Sequence, residues 1–293
     1  MSISAASTLR NEKLRVRNPV VSGIFYPSKR QDLDEKIDKL LASAAHVGYH
    51  DHEIAAACSA IISPHGSLDY SGTIAAKAWK AISDRDIQTI VILSPSHRNF
   101  EPGIFMPESK AFSLPTATFF VDRLAVEALL HSSTSLNLSD IPHFEEHSIE
   151  MQLIFAARCF PNALILPIIV CGADDQVMDA LFANLRYILR DRLPSTLFVL
   201  TTNLAVDADA DSCLKRSAAF VESVEKGDAV QLSSLCGSEP SFCGGRIVAA
   251  YMRSALFSGR PAFVYGLGSS VAYAEEGEPI VGYAALGFPG YAE

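Results

Sequence analysis

Six short runs, at 57–63, 87–94, 163–171, 196–202, 262–266 and 280–288, are for the most part continuously apolar instead of alternating between apolar and polar. A strand with one wet face alternates, so a strand apolar throughout is covered on both faces. Between these runs, apolar residues return at helical spacing: Leu33, Ile37, Leu40 and Leu41, then 75–82 behind Ser71-Gly72, then Val177, Leu181, Leu185 and Ile188, then 247–257 behind a glycine pair. Strands alternating with helices predict an α/β fold, with a largely parallel or mixed central sheet and helices on both faces. No Pro/Gly/Ser-rich linker or low-complexity tract divides the 293 residues. A single domain over 17–290 is therefore expected, behind a flexible segment, 1–16.

Composition narrows the function classes. Hydrophobic residues at 49% and charged residues at 19% exclude a disordered chain. A net charge of −9 argues against nucleic acid or an anionic membrane as a partner. The first ten residues lack the apolar centre of a signal peptide, and no run reaches the roughly 18 apolar residues of a membrane span, so a soluble, cytoplasmic protein is expected. Six cysteines without CxxC spacing read as reduced thiols, five of them packing residues. No internal repeat points to a solenoid.

Open α/β sheets bind ligands beyond the carboxyl ends of their strands. His65 follows the 57–63 run, His97 follows 87–94 and Asn203 follows 196–202, which delivers two imidazoles and an amide to one edge. Neutral imidazoles each offer a nitrogen lone pair, so His65 and His97 are candidate metal ligands; the alternative is two polar residues opening loops. The phrase Phe144-Glu145-Glu146-His147-Ser148-Ile149-Glu150-Met151-Gln152-Leu153 reads as the start of an amphipathic helix, with His147, Glu150 and Met151 on one face. His147, oriented by Glu146 or Glu150, is the candidate acid/base or ligand-orienting residue, set against a helix start merely favoured by acidic residues. Cys243 stands immediately before Gly244-Gly245-Arg246, where helix N–H groups and a guanidinium favour a thiolate; the alternative is a buried loop cysteine.

The phrases Ser22-Gly23-Ile24-Phe25-Tyr26-Pro27, Pro64-His65-Gly66, Tyr70-Ser71-Gly72, Ser94-Pro95-Ser96-His97, Glu146-His147-Ser148-Ile149-Glu150, Cys243-Gly244 and the closing Tyr265-Gly266-Leu267-Gly268-Ser269-Ser270 occur in this order. Together they resemble the Memo family, which includes the AmmeMemoRadiSam system protein B of bacteria and archaea. The resemblance runs from about residue 17 to 288 and implies an architecture related to class III extradiol dioxygenases. It implies a metal-capable pocket, with iron, as Fe(II), or copper held at His65, His97 and Cys243. It places Tyr70, Glu146, Glu150 and Asn203 around that pocket, and implies association with radical-SAM and AMMECR1-type proteins. Two departures matter. The family's Ser-Ser-Asp-x-x-His becomes Thr201-Thr202-Asn203-Leu204-Ala205-Val206, and an early family histidine is replaced by Val21. Asn203 cannot act as a base and Val206 binds neither proton nor metal. The leading expectation is a degraded pocket serving a non-catalytic protein that binds a small molecule or peptide. The alternatives are a non-haem iron or copper oxidoreductase, extradiol dioxygenase-like, and metal-assisted hydrolysis or transfer.

Three further features read as structural. Asp207-Ala208-Asp209-Ala210-Asp211 mimics a calcium loop but lacks its glycine and final glutamate, so it reads as a solvated loop or a helix cap. Gly266-Leu267-Gly268 reads as a close backbone approach near the pocket, and Trp79 as core.

Overall fold

The computed structural model describes residues 14–44, 58–99, 101–238 and 242–290. Its strands are β1 (Val16–Arg17), β2 (Cys58–Ser63), β3 (Thr89–Pro95), β4 (Gly103–Met106), β5 (Ala111–Ser113), β6 (Thr118–Phe120), β7 (Leu136–Leu138), β8 (Leu164–Cys171), β9 (Thr196–Thr201), β10 (Val206–Asp207), β11 (Phe263–Ser269) and β12 (Ile280–Pro289). Its helices are α1 (Arg30–Ala44), α2 (Leu68–Ala81), α3 (Arg123–Ser132), α4 (Ile141–Phe144), α5 (Ser148–Cys159), α6 (Asp175–Leu189), α7 (Ala210–Glu225), α8 (Ala229–Ser238) and α9 (Gly245–Arg253).

The central sheet is mixed. Its middle, β2-β9-β3-β8, is parallel, and antiparallel neighbours flank it: β12 beside β2, and β4 beside β8. Every residue of β2, β3 and β9 is buried, as continuous hydrophobicity requires when both faces are covered. One helix group, α1, α2 and α5, packs together and onto β2, β3 and β9; the other comprises α3, α6, α7, α8 and α9, with α9 reaching β3 and α7 reaching β12. Trp79 anchors the first group: fully buried, it stacks on Phe155 at 6.5 Å between centroids. No described helix is long and apolar enough to cross a membrane.

Register sets up the site. Ser63 of β2 pairs with Thr201 of β9, and Leu93 of β3 pairs with Leu200, so these three parallel strands finish nearly level. Whatever follows them emerges at one edge, within a few residues of the last ladder bond.

Several expectations need correction. Helix α5 is not amphipathic: Ser148 through Ala156 are all buried. Residues 1–13 of the segment expected to be flexible lie outside the described residues, but Arg15 and Val16 are held, Arg15 by Asp140 at 2.8 Å and Val16 by pairing with Ala111. That pairing builds a second, three-stranded sheet, β1-β5-β6, for which the sequence reading had no counterpart. Gly266 and Gly268 do mark close approaches, but to Lys77 and Ile74 of α2. Asp209 caps α7 by accepting from the Ser212 N–H at 2.8 Å, the helix-cap reading of the acidic stretch.

Candidate metal centre

His65, two residues beyond β2, is fully buried and held at two points. Its backbone N–H donates to Asn203 Oδ1 at 3.1 Å, and its ring Nδ1 lies 2.8 Å from Thr201 Oγ1. The remaining ring nitrogen, Nε2, is 3.4 Å from Cys243 Sγ. Cys243 arrives from a distant loop because Gly244 lets it. A Cβ at Gly244 would stand 2.4 Å from the Thr201 carbonyl oxygen and 2.8 Å from Thr202 Cβ, so only glycine brings this backbone onto the end of β9. The Asn203 N–H then donates to the Cys243 sulfur at 3.2 Å.

His97, two residues beyond β3, is aimed by Glu146. The carboxylate accepts from the His97 backbone N–H at 2.7 Å and lies 3.0 Å from its Nδ1, while also accepting from Ser148 N and Oγ at 2.9 and 2.6 Å. Carboxylate on Nδ1 leaves Nε2 as the ring's free edge. His147 stands at the amino end of α5, without a side-chain capping bond, and closes the third side, its ring centroid 4.9 Å from that of His97 and 5.6 Å from that of His65. Phe25 backs it at 5.0 Å.

Electrostatics separate these groups. Burial works against charge on His97, but the Cys243 sulfur and the Glu146 carboxylate outweigh it and raise its pKa to about 10. Burial alone would raise Glu146, yet the bond and charge of His97 hold it well below the usual carboxylate range. Burial opposes the Cys243 thiolate as well, and the two imidazoles overcome it, lowering the thiol well below its ordinary value. His147 moves the other way: burial, then the charge of His65, push it down to about 3, so it is neutral.

The sequence-derived residues divide accordingly. His65, His97 and Cys243 present ligand atoms within 4.8 Å of one another, and His97, Glu146 and His147 form a second, overlapping set. The first fits an ion better, because the Glu146 oxygens already serve His97 and Ser148. Ligand atoms on one tetrahedral ion, with bonds of about 2.0 to 2.3 Å, sit about 3.3 to 3.8 Å apart, and the His65 Nε2 to Cys243 Sγ distance of 3.4 Å falls in that range. Asn203 touches both residues. Glu150 does not join them and does not orient His147: it is wholly buried, pairs with Arg17, and accepts from Val20 N, Val21 N and Tyr26 Oη. Tyr70 is exposed on α2 with its ring beside Tyr273, at 6.0 Å. Arg246 gives the thiolate no help either, since its guanidinium pairs with Asp175 at 3.0 Å. Thr201 and Gln152 touch the site and were missed; nothing in the spacing of a strand-end threonine and a helix glutamine marks them.

A family model described as Memo-like protein matches residues 17–286. The chain belongs to the Memo family. A MEMO1 family protein of Thermotoga neapolitana is 29% identical over 238 residues, covering 78% of this chain and 84% of its own. A MEMO1 family protein of Thermoplasma acidophilum is 25% identical over 272 residues, covering 92% and 97%. Where the Memo pattern has its acid, Asn203 bonds to His65 and Cys243; where it has its next histidine, Val206 is exposed on β10.

Proposed function

We propose that this Memo protein holds one transition-metal ion, iron or copper, through His65 Nε2, His97 Nε2 and Cys243 Sγ, and uses it in an oxidoreductase reaction on a small molecule entering beside His147. The observation that carries this reading is the approach of Cys243 Sγ to His65 Nε2 across 178 residues of chain. Two imidazoles and a thiolate suit a borderline or soft ion, and iron or copper bound there supplies one-electron chemistry. The protein's own groups do the rest. Glu146 orients His97, Asn203 holds the His65 backbone and the Cys243 sulfur in place, and neutral His147 is placed beside the cluster to accept a hydrogen bond from a bound ligand.

The test is anaerobic titration of the metal-free protein with Fe(II), and with Co(II) as a spectroscopic stand-in. The expected result is one equivalent bound, a sulfur-to-metal charge-transfer band, and loss of both in Cys243→Ser and in the His65→Ala, His97→Ala double variant. Absence of binding, or binding untouched by these changes, refutes the reading. A second reading, metal-free binding of a small molecule or peptide, draws support from the amide at 203 in place of the family acid. Ligand binding that survives both variants would favour it.

A further inference from the structure

The hydrogen bonds behind His65 can be read with their direction, starting from a group that has no choice. The Trp79 indole N–H is a donor only. It donates to Gln152 Oε1 at 3.1 Å, which fixes the Gln152 amide: its Nε2 hydrogens go to the Pro64 carbonyl and to Thr201 Oγ1, each at 2.9 Å. The Thr201 hydroxyl, already accepting from Gln152, has one hydrogen left and two neighbours, the Ser63 carbonyl at 2.9 Å and His65 Nδ1 at 2.8 Å. The carbonyl cannot donate. If the hydroxyl hydrogen went to His65, oxygen would face oxygen at Ser63 and that contact would be lost. Only one arrangement makes every bond: Thr201 donates to Ser63 and accepts from a protonated His65 Nδ1. Trp79, Gln152 and His65 are fully buried and Thr201 nearly so, so water is not available to substitute for any link.

We infer that Thr201, oriented by the Trp79–Gln152 pair, is a positioning residue that keeps the proton of His65 on Nδ1 and so presents Nε2 to the cation site beside Cys243. The purpose of the relay rests on the metal reading above; its existence does not. A metal-bound histidine ordinarily fixes its tautomer by giving the other N–H to a carboxylate or a carbonyl. Here a hydroxyl does so, itself committed by a donor-only indole two steps away. The same relay ties together α2, α5 and the ends of β2 and β9, so the side of the sheet that carries no ligand still sets the state of one.

The experiment is long-range proton–nitrogen correlation on the metal-free protein with 15N-labelled histidine, His65 being assigned by its loss in His65→Gln. A slowly exchanging proton on Nδ1 is expected. In Thr201→Val that proton should exchange rapidly or leave Nδ1, and affinity for Co(II) should fall about 10- to 100-fold. Thr201→Ser, which restores the hydroxyl, should recover both. A bare Nδ1 in the unaltered protein overturns the inference without any variant having to fold. So does a Thr201→Val protein with unchanged exchange and affinity. Failure of the unaltered protein to take up Co(II) would sink the metal reading, whereas the nitrogen signal would still decide the relay.

Discussion

Glu150 offers the sharpest test of how the pocket is held, because its carboxylate is wholly buried and gathers four donors: Arg17 Nη1, Val20 N, Val21 N and Tyr26 Oη. Arg17 in turn reaches the carbonyls of His143 and Glu146, the latter next to His147. Replacing Glu150 with Leu strands a buried guanidinium, worth about 3 to 5 kcal/mol when one partner of such a pair is removed. It also strips the acceptor from three neutral donors, each of which adds about 1 kcal/mol or more where water cannot reach. Arg17→Met removes one donor and leaves the carboxylate three, so it should cost less. The prediction is thus an order: Glu150→Leu loses at least about 4 kcal/mol, and Arg17→Met at least 1 kcal/mol less than that. Urea unfolding followed by circular dichroism measures both. With unfolding entropy near 2.1 cal/mol/K per residue, 4 kcal/mol in a chain of 293 residues lowers Tm by about 6 to 7 °C. Either variant within 1 kcal/mol of the unaltered protein, or the reverse order, refutes the reasoning.

Two further outcomes follow from the geometry. Gly244→Ala should cost about 1 to 3 kcal/mol and weaken metal uptake, since the new Cβ meets backbone at 2.4 Å and the segment carrying Cys243 must move; calorimetric titration of the folded variant with Co(II) checks it. His143 is buried, with Nε2 donating to the Phe105 carbonyl, and burial depresses its pKa to about 4. An unfolded histidine binds its proton near pH 6.5 and the folded one does not, so stability is whole above that pH and falls as pH drops toward 4, by about 3 kcal/mol. In His143→Gln that part of the pH dependence between 6.5 and 4 should vanish; an identical slope in urea unfolding would show that His143 does not set it.

What could be read from the sequence, and what could not, follows from distance along the chain. Continuous apolar runs located β2, β3, β8, β9 and β12 to within a few residues, since two-sided burial leaves its mark in each strand separately; the run at 262–266 located β11 as well, although only Tyr265 of that strand is buried. The short elements between 103 and 144 left no such mark: β4 to β7 have three or four residues each, too few for a period to declare itself. The β1–β5 pairing joins Val16 to Ala111 and is invisible to any local pattern. The same limit misled the reading of Glu150. Its helical spacing from His147 was correct, but the residues that claim its oxygens lie about 130 positions away, at the amino end. His65 and His97 were candidates from their places beyond two strands and Cys243 from its place before a helix start, but only the ordered phrases that resemble a family joined the three, and Arg246, close in sequence to Cys243, is engaged by Asp175.

The departures at 203 and 206 differ in kind once the geometry is known. At 203 the side chain supplies one acceptor oxygen to the His65 N–H, which an amide provides as well as a carboxylate; the bond to Cys243 comes from the backbone and is indifferent to the side chain. What the amide withholds is charge: an aspartate there would set a second anion beside the thiolate and raise the thiol's pKa, opposing the two imidazoles that lower it. At 206 the side chain is exposed on a two-residue edge strand, so the valine removes an imidazole without opening a cavity. Neither substitution disturbs the placement of His65, His97 and Cys243. Both take proton-handling capacity from the end of β9. The neutral imidazole still bordering the cluster is His147, at the start of α5. If the proposed centre turns over a substrate, the imidazole that can hold its proton in a hydrogen bond stands at that helix and not at the strand end, and His147→Gln should depress turnover while leaving the Co(II) charge-transfer band intact.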